Sequence, residues 1–162
     1  RVQQCQLRAT LDKEVLGVHF EPGDGRTLPD HMGMMQRAQA DIEIGARVAR
    51  AIGALDIGQA VIIHNGITLG VEAVEGTDGL IARCAPLKND EKGGVLVKVK
   101  KPQQEKRVDL PTIGVSTVER LAECCFAGVA VEAGASLIVN RREVARRADQ
   151  LGVFVIGFSI LE

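Results

Sequence analysis

AVIIHNGITLGVEAVEGTD, residues 60–78, decides how this chain folds. Two β-branched runs, 60–63 and 67–71, flank the pair Asn65-Gly66. Asn and Gly both tolerate positive φ, so the pair predicts a tight type I′ turn and an antiparallel β-hairpin. Strict alternation would put Ile67, Leu69, Val71 and Ala73 on one face and turn Glu72 to the other. Beyond the second strand, Gly79 to Cys84 reads as a short helix.

On the N-terminal side of the hairpin, Ala38, Ile42, Ala46 and Ala49 recur at three- and four-residue spacing. This predicts a helix over 37–52 with Gly53 as its C-cap. Residues 1–36 carry little pattern and read as an inter-domain segment or linker. Within them Leu16, Val18 and Phe20 alternate as a short strand, and 21–30 is a Gly/Pro/Asp-rich loop. On the C-terminal side, 88–94 is a polar loop, 95–99 a strand and 100–108 a charged stretch. A helix follows, with Ser116 and Glu119 at capping-box spacing, Val118, Leu121, Ala122 and Cys125 as its apolar stripe, and Gly128 as its end. Strands at 129–131 and 137–139 lead to a second helix that starts at Asn140 and Glu143 and is capped by Gly152. Residues 153–158 form a last buried strand. The order predicts an α/β fold: a mixed β-sheet with the hairpin, flanked by helices, in a single domain.

Composition narrows the function classes. The 162 residues include four Phe, no Trp and no Tyr, and the net charge is −1. A general nucleic-acid binder would need a basic field and stacking aromatics, and this chain has neither. No run of 18 apolar residues is present, so no transmembrane helix is expected. Cys5, Cys84, Cys124 and Cys125 include no CxxC pair, which leaves reduced, partly buried thiols of a cytosolic protein as the plain reading.

Three segments are placed to carry chemistry. Glu72, Glu75 and Asp78 crowd a strand end and a helix start, a position suited to a phosphate or, through oxygen ligands, to a hard divalent cation. Thr77 or Asp78 also reads as an ordinary N-cap, and Glu72 as a solvent-facing acid. Lys98, Lys100 and Lys101, with Lys106 and Arg107, offer cations for a pyrophosphate; they equally suit a solvated edge strand where lysine blocks further pairing. Asp109, ahead of a helix, either positions a water or metal or simply makes a turn. His19, His31 and His64 show no metal-ligand spacing. Arg141, Arg142, Arg146 and Arg147 read as a solvated helix face or as a contact for anionic lipid headgroups.

Together and in order, VEAVEGTD (71–78), GGVLVKVKKP (93–102), DLPTIG (109–114) and GVAVEAGASLIV (128–139) resemble the C-terminal domain of the UDP-2,3-diacylglucosamine pyrophosphatases of lipid A biosynthesis, the type unrelated to calcineurin-like enzymes. VARAIGALDIGQAV (48–61) resembles the segment ahead of the family's hairpin. The resemblance implies that 37–162 is a C-terminal catalytic α/β domain. It also implies a Rossmann-like N-terminal domain that this chain does not carry. The activity implied is Mg²⁺- or Mn²⁺-dependent hydrolysis of the pyrophosphate of UDP-2,3-diacylglucosamine to UMP and 2,3-diacylglucosamine 1-phosphate. By the same resemblance Asp109 is the essential carboxylate, catalytic and metal-binding. Glu72, Glu75 and Asp78 would be further metal ligands, Lys98 and Lys101 catalytic cations, and Thr77 and Thr112 cofactor-binding groups. The implied partner is a UDP-linked diacylated glucosamine lipid. A homodimer is implied too, located in the cytoplasm with peripheral contact to the inner membrane as an option. The competing expectation is a non-catalytic nucleotide-binding or dimerisation module built on the apolar hairpin.

Overall fold

Unbroken burial along three strands builds a sheet that is covered on both faces. In the computed structural model, which describes residues 7–8, 19–20, 29–88, 92–102 and 110–159, the chain runs as follows. A two-stranded antiparallel ribbon, β1 (Leu7–Arg8) and β2 (His19–Phe20), precedes the long helix α1 (Pro29–Ala54). The hairpin strands β3 (Ala60–His64) and β4 (Ile67–Val71) lead into α2 (Gly76–Cys84) and a 3₁₀ turn at Ala85–Lys88. Then come β5 (Val95–Lys98), β6 (Thr112–Ile113), α3 (Val115–Glu123) and β7 (Gly128–Glu132). The last elements are β8 (Leu137–Ile138), α4 (Arg141–Leu151) and β9 (Phe154–Phe158).

The main sheet has the order β4-β3-β5-β7-β9. β3 is antiparallel to both β4 and β5, whereas β5, β7 and β9 run parallel. Val61 and Ile63, Val95 and Val97, and Ala130 pack on one face with Ile42, Ala46 and Ala49 of α1. Ala60 and Ile62, Leu96, and Val129 and Val131 pack on the other face with side chains of α2, α3 and α4. Each fully buried Ile or Leu of these layers contributes on the order of 2 kcal/mol by leaving water. The mixed α/β architecture is the one the sequence predicts.

Several local expectations change. α1 starts at Pro29, at the first helical position where a missing N–H costs nothing, so 29–30 are helical and not loop. Gly53 lies inside α1, and the chain turns at Asp56, with φ 57°. α3 starts at Val115 with Gly114 as N-cap, whose N–H donates to Thr117 Oγ1 at 3.4 Å; Ser116 lies within the first turn. α3 ends at Glu123, with Cys125 at φ 55° reversing the chain, and Gly128 opens β7. Asn140 is the N-cap residue of α4, but it makes no side-chain capping bond. Residues 137–138 pair with β6 in a small parallel ribbon and do not join the main sheet. The expected strand at Leu16 and Val18, the loop at 21–28, Cys5 and Asp109 lie outside the described residues.

The hairpin turn forms as expected, with φ 51° at Asn65 and 79° at Gly66. A bulge then breaks the expected alternation. Ile62 pairs with Gly70, but Ile63 pairs with Thr68, leaving Leu69 as the extra residue. Leu69 therefore packs on the α2 face and Val71 on the α1 face, while Ile67 is exposed. Beyond the bulge, Glu72 falls on the side of the sheet that α2 covers.

Asp41 of α1, 3% exposed, ties the turn down. Its carboxylate accepts the Asn65 N–H at 3.1 Å and the Gly66 N–H at 2.7 Å. Hydrogen bonds to a charged acceptor are the stronger kind, and removing the carboxylate leaves two backbone donors to water alone. Asp41→Ala is expected to cost about 2 kcal/mol. Urea unfolding should show a lower midpoint at unchanged slope, with Asp41→Asn falling between the variant and the parent.

Candidate active site

The carboxyl ends of β5, β7 and β9 bring Lys98, Glu132 and Phe158 to one edge of the sheet. Because β3 runs antiparallel to β5, its first residue, Ala60, lies beside Lys98. Glu72, just past β4, reaches the same edge and donates its N–H to Ala60 O at 2.8 Å. α2 begins four residues later, so its N-terminal turn faces this edge. In open α/β sheets this carboxyl edge is where ligands are bound.

Lys98 follows Leu96 on the α2 face and is 4% exposed. Its ammonium donates to Thr77 Oγ1 at 3.0 Å and to the carbonyl of Thr112 at 3.1 Å. Thr77 in turn donates its hydroxyl proton to Glu72 Oε1 at 2.7 Å. Glu72 Oε2 accepts the backbone N–H of Gln59 at 3.0 Å. Glu72 is 7% exposed, not a solvent-facing acid. Close packing fixes it further: a Cβ on Gly58 would overlap the carbonyl of Glu72. Lys98 lies on a central strand with partners on both sides, so the edge-strand reading of this lysine does not hold.

The electrostatics follow from this geometry. Burial pushes the Lys98 ammonium below the ordinary lysine range, and the negative charges of Glu72 and Asp78 oppose that push. Asp78 lies exposed in the first turn of α2, where a carboxylate also complements the helix dipole.

The remaining predicted residues take separate places. Glu75 pairs with Arg83 at 2.8 Å and accepts the Ala73 N–H at 3.2 Å. Backbone hydrogen bonding first, and Arg83 second, hold its carboxyl below the usual value. The Lys101 ammonium is 2.8 Å from Asp56, at the end of α1. The Lys100 N–H donates to Glu132 Oε2 at 2.9 Å, which ties the chain after β5 to the end of β7. Thr112 contributes its carbonyl to Lys98, while its hydroxyl donates to Leu110 O at 3.0 Å. Among the described residues, no three His, Cys, Asp or Glu side chains gather as a metal-binding group. Glu72 and Glu75 accept hydrogen bonds from protein donors, and Asp78 is exposed. The Arg cluster of α4 is exposed or intermediate, with Arg146 paired to Glu143 and Arg147 to Glu119. Cys84, Cys124 and Cys125 are free thiols, and burial pushes that of Cys84 upward.

Three separated sequence motifs thus meet at one ammonium: Thr77 from VEGTD, Lys98 from VLVKVKKP and Thr112 from DLPTIG. Sequence reading missed Asp41 and Gln59. Asp41 looks like any polar helix residue, and Gln59 acts through its backbone, which side-chain identity does not disclose.

No described helix is long and apolar enough to cross a membrane. The curated UDP-2,3-diacylglucosamine pyrophosphatase LpxI of Caulobacter vibrioides is 45% identical over 93% of this chain. The chain spans 59% of that relative's length. The LpxI C-terminal domain model matches residues 29–156, from the start of α1 into β9. With Lys98, Thr77 and Thr112 gathered at the carboxyl edge of the matched sheet, this chain belongs to the LpxI C-terminal domain family.

Proposed function

We propose that the protein carrying this chain hydrolyses the pyrophosphate of UDP-2,3-diacylglucosamine, releasing UMP and 2,3-diacylglucosamine 1-phosphate for lipid A biosynthesis. The observation that supports this reading most is the buried Lys98 ammonium, held by Thr77 and Thr112 where three family motifs meet. Hydrolysis of a phosphoric anhydride builds negative charge on the phosphate oxygens. A fixed cation in a low-dielectric pocket stabilises that charge with little reorganisation. Among the described residues two of the three N–H donors of Lys98 are held by protein acceptors, and the third would reach a phosphate oxygen. The N-terminal turn and positive dipole end of α2 add to the same field. Lys101 would serve as a second cation by exchanging Asp56 for a phosphate.

The attacking water is assigned to Asp109, two residues before Pro111, whose role the family resemblance supports. Water attack at the α-phosphorus gives the products stated. A divalent cation, Mg²⁺ or Mn²⁺, would supply charge neutralisation on the phosphates when bound. Mg²⁺ keeps few protein ligands and takes the rest from substrate phosphate and water. Asp78 and Asp109 suit that role better than Glu72 and Glu75, whose oxygens already accept protein hydrogen bonds. We further place the enzyme in the cytoplasm as a homodimer that meets its lipid substrate at the membrane surface.

Release of UMP from UDP-2,3-diacylglucosamine by the complete gene product tests the reaction. Asp109→Asn is expected to abolish it, and wild-type turnover in that variant would refute the role of Asp109. Lys98→Met should lower kcat by about 100-fold or more, the scale set by loss of one charge-stabilising donor. Chelation of divalent cations should stop turnover and added Mg²⁺ or Mn²⁺ restore it; turnover unaffected by chelator would remove the metal from the scheme.

A further inference from the structure

We infer that Glu72 and Thr77 form a positioning pair that holds the Lys98 ammonium in one orientation toward the substrate, and that Glu72 is not a ligand of the catalytic metal. This rests on the phosphate-binding role given above to Lys98. A threonine hydroxyl has one proton and two lone pairs. The Thr77 proton is committed to Glu72 Oε1 at 2.7 Å, a distance in the charge-assisted range. Its oxygen is therefore left to accept, and it accepts from Lys98 at 3.0 Å. Glu72 itself cannot turn away. Its second oxygen is held by the Gln59 N–H at 3.0 Å, its own N–H is bound to Ala60 O at 2.8 Å, and its carbonyl lies against Gly58. The chain of contacts runs from a fixed backbone amide through a buried carboxylate and a hydroxyl to the ammonium.

This arrangement makes a specific statement about neutral replacements. In Glu72→Gln the Gln59 N–H still needs an acceptor, so the amide oxygen must face it and the amide NH₂ must face Thr77. The hydroxyl then meets a donor where it had an acceptor, and its proton loses its partner. The negative charge that offsets burial of the Lys98 cation is lost as well. Thr77→Val keeps the shape and removes the acceptor from Lys98. Thr77→Ser keeps both hydrogen bonds.

The test combines kinetics of the complete gene product with an activity-independent readout. On UDP-2,3-diacylglucosamine, Thr77→Val and Glu72→Gln are each expected to lower kcat at least 10-fold with KM changed less than threefold. Thr77→Ser should stay within threefold of the parent. The double variant Glu72→Gln/Thr77→Val should lose no more than the worse single one, because both act through Lys98. In protein labelled with ¹⁵N-lysine, the held ammonium should give an ordered Nζ–H signal, assigned by its absence in Lys98→Met. That signal should broaden or vanish in Thr77→Val and Glu72→Gln and persist in Thr77→Ser. Additive losses in the double variant, wild-type kcat in Thr77→Val, or recovery of Glu72→Gln by raised Mn²⁺ would overturn the inference, the last because it marks a metal ligand. If the parent protein fails to release UMP, the proposed reaction falls. The lysine signal still decides the pair, and its persistence in both variants refutes it.

Discussion

A buried ammonium is the interaction on which the geometry of this edge depends. Taking an unpaired cation out of water costs several kcal/mol, so Lys98 can occupy the interior only if polar groups are fixed around it beforehand. Each of those groups comes from a different part of the chain. Thr77 is set by the start of α2, the Thr112 carbonyl by β6, and Glu72 by the end of the hairpin. A misfolded hairpin, a displaced α2 or a shifted 110–113 segment would each remove one of the groups that hold the cation. The lysine therefore ties three loops to one geometry, and that geometry is also the one a charged ligand would meet.

The position of Glu72 traces back to a single irregularity. Without the extra residue at Leu69, the alternation of β4 would fall out of step between the turn and Val71. The bulge lets the Asn65-Gly66 turn and the strand end both satisfy the sheet. Residues before it follow the phase set by the turn, and those after it follow the phase set by β3. Gly70 then faces α2 closely, near Cys84 and Leu80, and Glu72 follows two residues on along the same side. At the opposite end of the hairpin Asp41 fixes the turn through its two N–H groups. Both ends of β3 and β4 are thus anchored by buried carboxylates, one on α1 and one that is part of the site.

Much of the fold was legible because the signals were local. Asn65-Gly66 between β-branched runs admits few alternatives, and the apolar strands 95–97 and 129–131 announce buried positions directly. What escaped was set by tertiary contact. Ser116 and Glu119 have the right spacing for a capping box, yet the helix starts one residue before Ser116 because Gly114 and Thr117 close the turn. Leu137 and Ile138 look like a core strand, but their partner is the two-residue β6, itself invisible as a pattern. Glu72 and Lys98 were found as charged residues near a motif. Their burial was not readable, since it follows from the bulge and from the register Ala60↔Lys98, which lie outside any short window. Lys98 and Lys101, both expected as catalytic cations, take separate places: one lies under α2, and the other meets Asp56 beyond the end of α1.

The separation of those two lysines bears on how a pyrophosphate would be handled. Two cations at equal depth would bind both phosphates of the substrate alike, and uniform binding does not lower a barrier. Here one cation is buried and pushed toward its neutral form, while the other meets an exposed carboxylate. A developing phosphate charge would gain most from the first, because its field is least screened and the acceptors that fix it need not move. The second is tied to Asp56, beyond the end of α1. An edge built this way favours charge that appears during reaction over charge already present in the bound substrate. That arrangement suits the hydrolysis proposed above, because developing phosphate charge would offset the cost of burying Lys98.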